Sequence, residues 1–347
     1  MALLPCDNLK ACTGLTLTSK DGAVVLARTI EWAGSYLDSR HVIVPRGYAQ
    51  RSFLPGGADG GLKFISKYGY VGVAVEADEF VTEGINEAGL SVGLFYFPGY
   101  GGYEEYNEVF KSSTISDLQL VPWILGSFGS VDELIENFSK IHVVSVYPGA
   151  STAHWRIADA SGRQVVLEIV GGKPVFHENT LGVLTNSPGF DWHIKNLNNY
   201  VNLFPGAADK KDWNGISIAP FGAGSGMLGI PGDVTPPSRF IRAAFYQMTA
   251  PVQETAEKAV LQAFHILNNF DIPVGLEFAV GQNPPDIPSA TQWTSATDVT
   301  NKKFYYRSMY DSAIRCFDLN TIDFSKVKYR VERIDKVKSH PIKVITV

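Results

Sequence analysis

The 347-residue sequence predicts an α+β fold in which sheets stack face to face and helices cover their outer sides. Strand-like segments come first, helical segments follow, and strand-like segments return near the C-terminus. Hydrophobic residues make up 45% of the chain and charged residues 19%, which excludes a disordered chain and allows a sizeable core. The length alone would allow about two domains, but this order of elements favours one large domain.

The strand predictions rest on short runs rich in β-branched and aromatic residues that turn residues interrupt. A second strand block extends from Ala153 to about Thr185, and a third consists of FYYRSM, AIRCFDL and KYRVERI. The first block contains the runs Leu15–Thr18, Val24–Arg28, His41–Val44, Val71–Val75 and Leu90–Phe97.

Three helices are predicted between the strand blocks. Ser130 and Glu133 form a capping box that opens SVDELIENFSKI, a segment with apolar residues along one face. A second helix is predicted from about Ser238 in SRFIRAAFYQM, and a third within Val252–Asn268. The Gly-rich segment 205–232 also carries several large apolar residues, so we predict an ordered excursion there rather than a flexible linker.

Charge and motif content exclude several classes of function. A net charge of -5 argues against a nucleic-acid binder, and no apolar run is long enough to span a membrane. The seven histidines show no metal-ligand spacing. A GxGxxG pattern at Gly224, Gly226 and Gly229 is followed by Pro231 and Gly232 instead of a helix, so it does not indicate dinucleotide binding. We expect neither a metal ion nor an organic cofactor.

The first hairpin brings chemistry-bearing residues together. Its Asp-Gly pair at 21–22 predicts a two-residue turn, which places Cys12 directly across from Glu31. In that register Arg28 lies on the other face, and a bend near Thr29 would be needed to bring it to the thiol. From spacing alone, a surface Arg–Glu pair beside a buried cysteine is the more ordinary interpretation.

A nucleophilic cysteine needs a base, and the hairpin contains no histidine. No papain-like or caspase-like signature surrounds any of the three cysteines, which also cannot form a disulfide framework. An α-amino group, with a pKa of about 7.7–8.0, could act as the base if Cys12 became the first residue. Residues 1–11 do not resemble the strand-like sequence from Cys12 onward and are too short for a secretory signal, so they are predicted to be a removable propeptide or a signal remnant.

Four stretches carry a family resemblance. They are CTGLTLTSKDGAVVLARTIEW, GINEAGLSVGLFYFPG, GVLTNSPGFDWHIKNL and PFGAGSGMLGIPGDVTPPSRFIRAAF. In combination they resemble the choloylglycine hydrolase family of bile salt hydrolases and penicillin V acylases, from Cys12 to near the C-terminus. The last two stretches look most similar to penicillin V acylases of the Gram-positive type.

The resemblance implies an N-terminal nucleophile (Ntn) hydrolase with a four-layer αββα sandwich of two antiparallel sheets, cutting linear non-peptide amides. Cys12 would be the nucleophile and its freed amine the base, with Arg28 beside the thiol. The Asn186 side chain and the Tyr96 backbone N–H would bind the oxyanion, and Arg239 would help to stabilise the transition state. Judged without the resemblance, Asn186 is a turn residue and Arg239 a capping or surface charge.

Glu31 departs from the family pattern, which commonly has aspartate at this position. The resemblance implies that this carboxylate orients the α-amine. Because Glu31 keeps the charge, we expect it to keep that role, although the extra methylene must be accommodated.

The resemblance also implies an organisation for the whole chain. Residues 12–347 would form one domain in which a segment at about 200–232 acts as an assembly loop, with Trp213 and Phe221 available for burial. We therefore predict a homotetramer. The compartment is predicted to be the cytoplasm, or the periplasm or exterior if a longer signal peptide was truncated.

The preferred function is hydrolysis of a small-molecule amide of the penicillin V type. Tyr96 favours it slightly over conjugated bile salt hydrolysis, and N-acyl homoserine lactones are a further candidate substrate. A catalytically silent binding protein and a papain-like thiol peptidase remain as competing classes. Of the other cysteines, Cys316 is predicted in the core and Cys6 in the removed leader. The acyl group should be apolar because aromatic residues cluster near the predicted site, namely Phe95, Tyr96, Phe97, Tyr100 and Tyr103.

Overall fold

Two large antiparallel sheets pack against each other at the centre of the protein. The computed structural model describes residues 10–149 and 152–346, so most of the predicted leader lies outside the described residues. The strands, in chain order, are β1 (Lys10–Thr18), β2 (Val24–Trp32), β3 (Ser39–Val44), β4 (Ala49–Phe53), β5 (Asp59–Ile65), β6 (Tyr70–Val75), β7 (Val81–Asn86), β8 (Ser91–Tyr96), β9 (Thr114–Ser116), β10 (His142–Val144), β11 (Ala153–Ala158), β12 (Gln164–Val170), β13 (Lys173–Glu178), β14 (Lys211–Trp213), β15 (Ile216–Ile218), β16 (Thr291–Asp298), β17 (Lys303–Ser308), β18 (Asp311–Asp318) and β19 (Arg330–Arg333). One large sheet has five strands in the order β1-β2-β16-β17-β18, and the other has eight in the order β13-β12-β11-β8-β7-β6-β3-β19.

Helices cover the outer side of each sheet. They are α1 (Leu120–Ser127), α2 (Val131–Asn137), α3 (Phe190–Asn196), α4 (Pro236–Thr249) and α5 (Ala256–Leu267). Helices α4 and α5 pack on β1 and β2 of the five-stranded sheet, whereas α1 packs on β7 and β8 of the eight-stranded sheet. This helix–sheet–sheet–helix order confirms the predicted four-layer α+β sandwich. Among the described residues, no helix has the length and apolar character needed to cross a membrane.

Two apolar cores hold the layers together. The first lies between the sheets and continues beneath α4 and α5, where it includes Leu15, Ile85 and Phe264. The second lies between the eight-stranded sheet and the helices on its outer side, and it includes Val42, Leu125 and other large aliphatic residues. The central strands of the eight-stranded sheet contribute to both cores, so they are buried on both faces. This double burial explains why polar groups inside these strands need specific partners.

The predicted capping box opens α2 as expected, because the Ser130 hydroxyl accepts a hydrogen bond from the backbone N–H of Glu133. The predicted helices near Ser238 and within Val252–Asn268 correspond to α4 and α5. Helices α1 and α3 were not predicted. Strand β16 was also missed, although it is buried along its whole length at the centre of the five-stranded sheet.

The register predicted for the first hairpin is wrong by one residue. Ser19 N–H donates to Ala23 O at 3.0 Å, and Gly22 has a φ of 85°, so the loop contains three residues rather than two. Cys12 therefore pairs with Ile30 instead of Glu31. A one-residue shift exchanges the two faces of a strand. Arg28 consequently lies on the same face as the thiol without any bend.

The prediction that Cys316 lies in the core is wrong, because Cys316 is exposed on the edge strand β18. The segment 200–232 contains the small β14–β15 hairpin. Trp213 and Phe221, in the same segment, are also exposed. The assembly role predicted for this segment stays a prediction.

Candidate active site

Cys12 lies in β1 at one edge of the five-stranded sheet and is 4% exposed. The Arg28 Nη2 atom donates to the Cys12 Sγ atom at 2.8 Å. Gly14, which is two residues after Cys12 in β1, pairs directly with Arg28 in β2. A Cβ atom at Gly14 would come within 2.9 Å of the Phe95 ring, so this glycine is required by close packing.

The Arg28 guanidinium is fully buried and held by partners on several sides. Its Nη1 atom donates to Glu83 Oε2 at 3.2 Å and to Leu94 O at 2.6 Å. Its Nε atom donates to Thr29 O at 3.2 Å, and its Cζ atom lies 4.1 Å from the centre of the Phe95 ring. Sheet contacts, a carboxylate and an aromatic face thus fix the direction in which Nη2 points.

A second buried arginine lies near the same Phe95 ring as Arg28. Arg156 Nη1 donates to Leu15 O at 3.0 Å, and its Cζ atom lies 5.5 Å from the centre of that ring. Burial raises the pKa of the Cys12 thiol and the charge of Glu31 adds to that rise, whereas the charges of Arg28 and Arg239 and the backbone hydrogen bond from Tyr96 act in the opposite direction. Among the groups that favour a thiolate at Cys12, Arg28 has the largest influence.

Asn186 reaches Cys12 because its segment docks on the edge of β1. Gly14 N–H donates to Leu184 O at 2.7 Å, and Leu184 N–H donates back to Gly14 O at 3.1 Å. The Cys12 N–H then donates to Asn186 Oδ1 at 2.9 Å, while Asn186 Nδ2 donates to Tyr96 O at 2.7 Å. The backbone N–H of Tyr96 hydrogen-bonds the thiol itself. Both predicted oxyanion donors therefore lie beside Cys12.

Arg239, from α4, contacts both Asn186 and the nucleophile's own backbone. Its Nη2 atom donates to Asn186 Oδ1 at 2.7 Å, and its Nη1 atom donates to Thr13 Oγ1 at 2.9 Å and to Cys12 O. The Nε atom donates to Val234 O at 2.8 Å. With 1% of its surface exposed, Arg239 is not a surface charge. Its contacts with Oδ1 orient the Asn186 amide so that Nδ2 faces Tyr96.

Glu31 lies on the opposite face of β2 from Arg28 and is also buried. Its Oε1 atom accepts a hydrogen bond from Thr291 Oγ1 at 3.3 Å, whereas Oε2 is buried without a hydrogen-bond partner in the described part of the chain. Burial raises the pKa of Glu31 to about 7, against the lowering effect of Arg239. A buried carboxylate oxygen of this kind can accept a proton donor that arrives later, such as a new amine.

The residue before Cys12 is buried as well. Ala11 is buried in β1, opposite Glu31, and packs with Ala33, Ile272 and Ala290. Cys12 N therefore lies beside the groups that would receive a free amine, with Asn186 Oδ1 at 2.9 Å.

The five aromatic residues predicted to line an acyl site do not share that role. Phe95 and Phe97 are fully buried, and Phe95 serves as the platform for Arg28. Tyr103 is partly buried and packs against the second core, and its hydroxyl accepts from Ala153 N–H at 2.7 Å. Tyr100 is exposed, and Tyr96 approaches Cys12 through its backbone. The apolar acyl preference therefore loses the support of Phe95, Phe97 and Tyr103.

The structure brings together the six predicted site residues, namely Cys12, Arg28, Glu31, Tyr96, Asn186 and Arg239. Sequence reasoning missed Glu83, Thr291 and two buried histidines, His154 and His193. A charged residue inside a buried strand, as in TEGIN for Glu83, was the available signal. Within the described ranges, no group of three His, Cys, Asp or Glu side chains could hold a metal ion.

The chain is similar to a family of known amide hydrolases. The family model described as linear amide C–N hydrolases, choloylglycine hydrolase family, matches residues 12–331. A bile salt hydrolase/transferase from Clostridium perfringens (strain 13 / Type A) is 31% identical over 325 residues, which cover 91% of this chain and 95% of that protein.

Two solved structures extend the comparison to the fold. A variant of the conjugated bile acid hydrolase from Clostridium perfringens matches with a TM-score of 0.82 and 28% identity, over 96% of this chain and 100% of that chain. The penicillin V acylase from Agrobacterium tumefaciens matches with a TM-score of 0.73 and 25% identity, over 93% and 91% respectively. Both the TM-score and the sequence identity are higher for the bile acid hydrolase than for the penicillin V acylase.

Proposed function

The chain belongs to the choloylglycine hydrolase family of linear amide C–N hydrolases, and we propose that Cys12 is its nucleophile. The observation that carries this proposal is the contact of 2.8 Å between Arg28 Nη2 and Cys12 Sγ, inside a closed site that also contains Asn186 and Arg239. A cysteine that was only part of the core would not need a buried guanidinium directed at its sulfur atom.

In the proposed first step the Cys12 thiolate attacks the substrate's amide carbonyl. Arg28 stabilises the thiolate by charge, and the fixed position of the guanidinium avoids reorganisation during the attack. The carbonyl oxygen becomes an oxyanion that accepts from Asn186 Nδ2 and from the backbone N–H of Tyr96. Loss of one such donor typically costs about 10²–10³-fold in turnover.

The proposed base is the α-amine that Cys12 gains when the preceding residues are removed. This amine takes the thiol proton and passes it to the leaving nitrogen, so that amine product and thioester form together. Water then attacks the thioester by the reverse path. Asn186 Oδ1 already accepts from Cys12 N, and the buried Oε2 of Glu31 is available as a further acceptor.

For the substrate, we propose a conjugated bile salt, in which an apolar bile acid is joined to an amino acid through an amide. The support is the greater similarity to bile salt and bile acid hydrolases than to a penicillin V acylase. This reverses the preference drawn from the sequence. Penicillin V stays the second candidate because of Tyr96.

The test compares amide substrates on one preparation. Purified protein would be analysed by intact-mass spectrometry and incubated with glycocholate, taurocholate, phenoxymethylpenicillin and a peptide substrate. We expect a chain that begins at Cys12 and releases glycine or taurine faster than phenoxyacetate. A stable chain that retains residues 1–11 with full amidase activity would refute the N-terminal mechanism. Cleavage of the peptide alone would instead support a thiol peptidase.

We also propose that the segment 200–232 mediates a homotetramer. Exposed apolar side chains along this segment, including Trp213, Ile216 and Phe221, provide surface for burial between subunits. Sedimentation at micromolar concentration should give the tetramer mass. A monomer under those conditions would contradict the proposal.

A further inference from the structure

Two buried histidines outside the predicted site hold the backbone on either side of Asn186. His154, in β11, has its Nε2 atom 3.1 Å from Thr185 O. His193, in α3, has its Nε2 atom 2.9 Å from Asn186 O. Because carbonyl oxygens only accept hydrogen bonds, each Nε2 atom must carry a proton and donate it.

These contacts constrain the direction of the Asn186 side chain. The Thr185 carbonyl belongs to the peptide group before the Asn186 Cα atom, and the Asn186 carbonyl belongs to the peptide group after it. One imidazole binds each group, so both peptide planes that define the Cα–Cβ direction are fixed. We propose that His154 and His193 are positioning residues that aim the Asn186 amide at the oxyanion. This inference rests on the oxyanion role proposed for Asn186.

The rings themselves are held in fixed planes. His154 stacks on Phe97 with ring centres 4.4 Å apart and planes 7° from parallel. His193 stacks on Phe240 with ring centres 4.7 Å apart and planes 10° from parallel. Phe240 follows Arg239 in α4, so the helix that binds Asn186 Oδ1 also supports the ring that binds Asn186 O.

Glu168 connects the two histidines. Its Oε1 atom lies 3.2 Å from His154 Nδ1 and accepts from the Phe190 N–H, at the start of α3, at 2.8 Å. The His154 ring is thus held between Thr185 O at its Nε2 atom and Glu168 at its Nδ1 atom. The same carboxylate fixes the helix that carries His193.

His193 is neutral in this arrangement. Burial lowers its pKa to about 4, so the ring is neutral at pH 7 with its proton on Nε2. Its Nδ1 atom is buried and has no hydrogen-bond partner in the described ranges. The only hydrogen bond of this ring among those residues is therefore the one to Asn186 O, and no other polar contact explains its burial.

The consequence for turnover follows from geometry. A displacement of about 1 Å in a catalytic group can cost about 10²-fold in rate. Replacing His193 with leucine removes the donor and leaves Asn186 O unsatisfied, whereas glutamine can place its Nε2 amide near the position of the imidazole Nε2. We expect His193→Leu to lower kcat about 10–100-fold with little change in KM, and His193→Gln to restore most of the loss.

The test is a double-mutant cycle with Asn186→Ala. Steady-state kinetics on the most active conjugated bile salt would be measured for His193→Leu, His193→Gln and His154→Leu, each with and without Asn186→Ala. If the histidines act through Asn186, their substitutions should change kcat less than 2-fold once that side chain is absent. The rate of Cys12 alkylation by iodoacetamide, which forms no oxyanion, should stay within 2-fold of wild type in every folded variant.

A matched control is His142→Leu, because His142 also pairs with a carboxylate and stacks on a phenylalanine ring, yet lies at the surface. Its kcat should equal that of the wild type. Equal losses with and without Asn186, or a parallel fall in the alkylation rate, would overturn the positioning role. If His193→Leu does not fold, His154→Leu decides by the same criteria. An inactive wild type would overturn the proposed function, whereas an active wild type with unaffected variants overturns only this inference.

Discussion

The five-stranded sheet carries one cysteine on each of its two edge strands, and they differ in almost every respect. Cys12 lies on β1 and is 4% exposed, with Arg28, Asn186 and Arg239 around it. Cys316 lies on β18 at the other edge, where it is exposed and pairs across the sheet with Tyr305. Both are free thiols on strands of the same sheet.

The difference arises from what covers each edge. The Leu184–Asn186 segment docks on β1 through a backbone bridge at Gly14, and α4 supplies Arg239. Strand β18 has most of its side chains exposed or partly exposed. A cysteine gains the surroundings of a nucleophile from the elements that close over it rather than from the strand that carries it. The two thiols therefore form an internal pair of test and control.

The largest expected effect is that of Cys12→Ala. Removal of the nucleophile should lower kcat at least about 10³-fold, because the remaining oxyanion donors and binding groups give only residual catalysis. Release of glycine or taurine from the conjugated bile salt measures the loss. Turnover within 10-fold of wild type would remove Cys12 from the mechanism and end the contrast between the two edges.

The next effect is that of Arg28→Gln, which removes the charge at the thiol and leaves Glu83 buried without its partner. We expect kcat/KM to fall about 10²–10³-fold and iodoacetamide alkylation of Cys12 to slow at pH 7, because the thiol pKa rises. Arg40→Gln is a suitable control, since Arg40 forms its ion pairs with Asp38 and Asp78 near the surface. Faster alkylation in Arg28→Gln would contradict the proposed charge effect.

Much of the fold could be predicted because apolar alternation, capping residues and turn signals act locally. The four family-like stretches also indicated Cys12 and the five residues that the structure gathers around it. The first hairpin could not be predicted correctly, since an Asp-Gly pair fits both a two-residue and a three-residue loop. The choice depends on Asp21, because a two-residue type I′ turn needs a positive φ at both turn residues, whereas in this hairpin Gly22 has a positive φ, at 85°, and Asp21 does not.

Other features were hidden because burial by distant segments leaves no local pattern. Strand β16 reads TQWTSATD, a hydroxyl-rich sequence that resembles a loop, yet its neighbours β2 and β17 bury it. The contribution of His154 depends on Thr185, and that of His193 on the docking of α3. In the opposite direction, AIRCFDL looks like a core strand, although Cys316 is exposed.

A smaller effect is expected at Glu31, whose pKa is raised to about 7 by burial. A raised pKa means that the carboxyl group takes up a proton as the pH falls through about 7, and it then no longer attracts the α-amine. We expect kcat/KM to decline below pH 7 in the wild type. Glu31→Gln should lower kcat/KM about 10–100-fold, less than the roughly 10²–10⁴-fold contributed by a group that transfers the proton itself, because Glu31 only orients the amine.

The variant Glu31→Asp separates charge from length, because aspartate is the residue common in the family. It should stay within about 10-fold of wild type and retain a decline at acidic pH. A pH profile of Glu31→Gln that matches the wild-type profile would assign the acidic limb to another group.

Glu168→Gln should affect stability more than it affects chemistry directly. Although burial acts in the opposite direction, hydrogen bonds from His154 and His177 hold the pKa of Glu168 at about 2, below its ordinary value of 4.5. A depressed carboxyl pKa stabilises the folded state above pH 4.5, and the stabilisation is lost as the pH falls toward 2. Urea unfolding at pH 7 should show a loss on the order of 3 kcal/mol in the variant. The difference in unfolding free energy between the wild type and the variant should be smaller at pH 3. A larger difference at pH 3 would contradict the assignment.

The smallest effect is expected for Cys316→Ala, which completes the comparison of the two edges. Burial raises the pKa of the Cys316 thiol, with a hydrogen bond to Tyr305 opposing it, and no arginine contacts this sulfur in the described structure. Turnover should change less than 2-fold, and the free energy of unfolding by no more than about 0.5 kcal/mol. Because the exposed thiol also reacts with iodoacetamide, this variant is the background in which Cys12 alkylation should be measured. A Cys316→Ala protein that lost turnover while Cys12 alkylation stayed normal would show that the second edge takes part in catalysis.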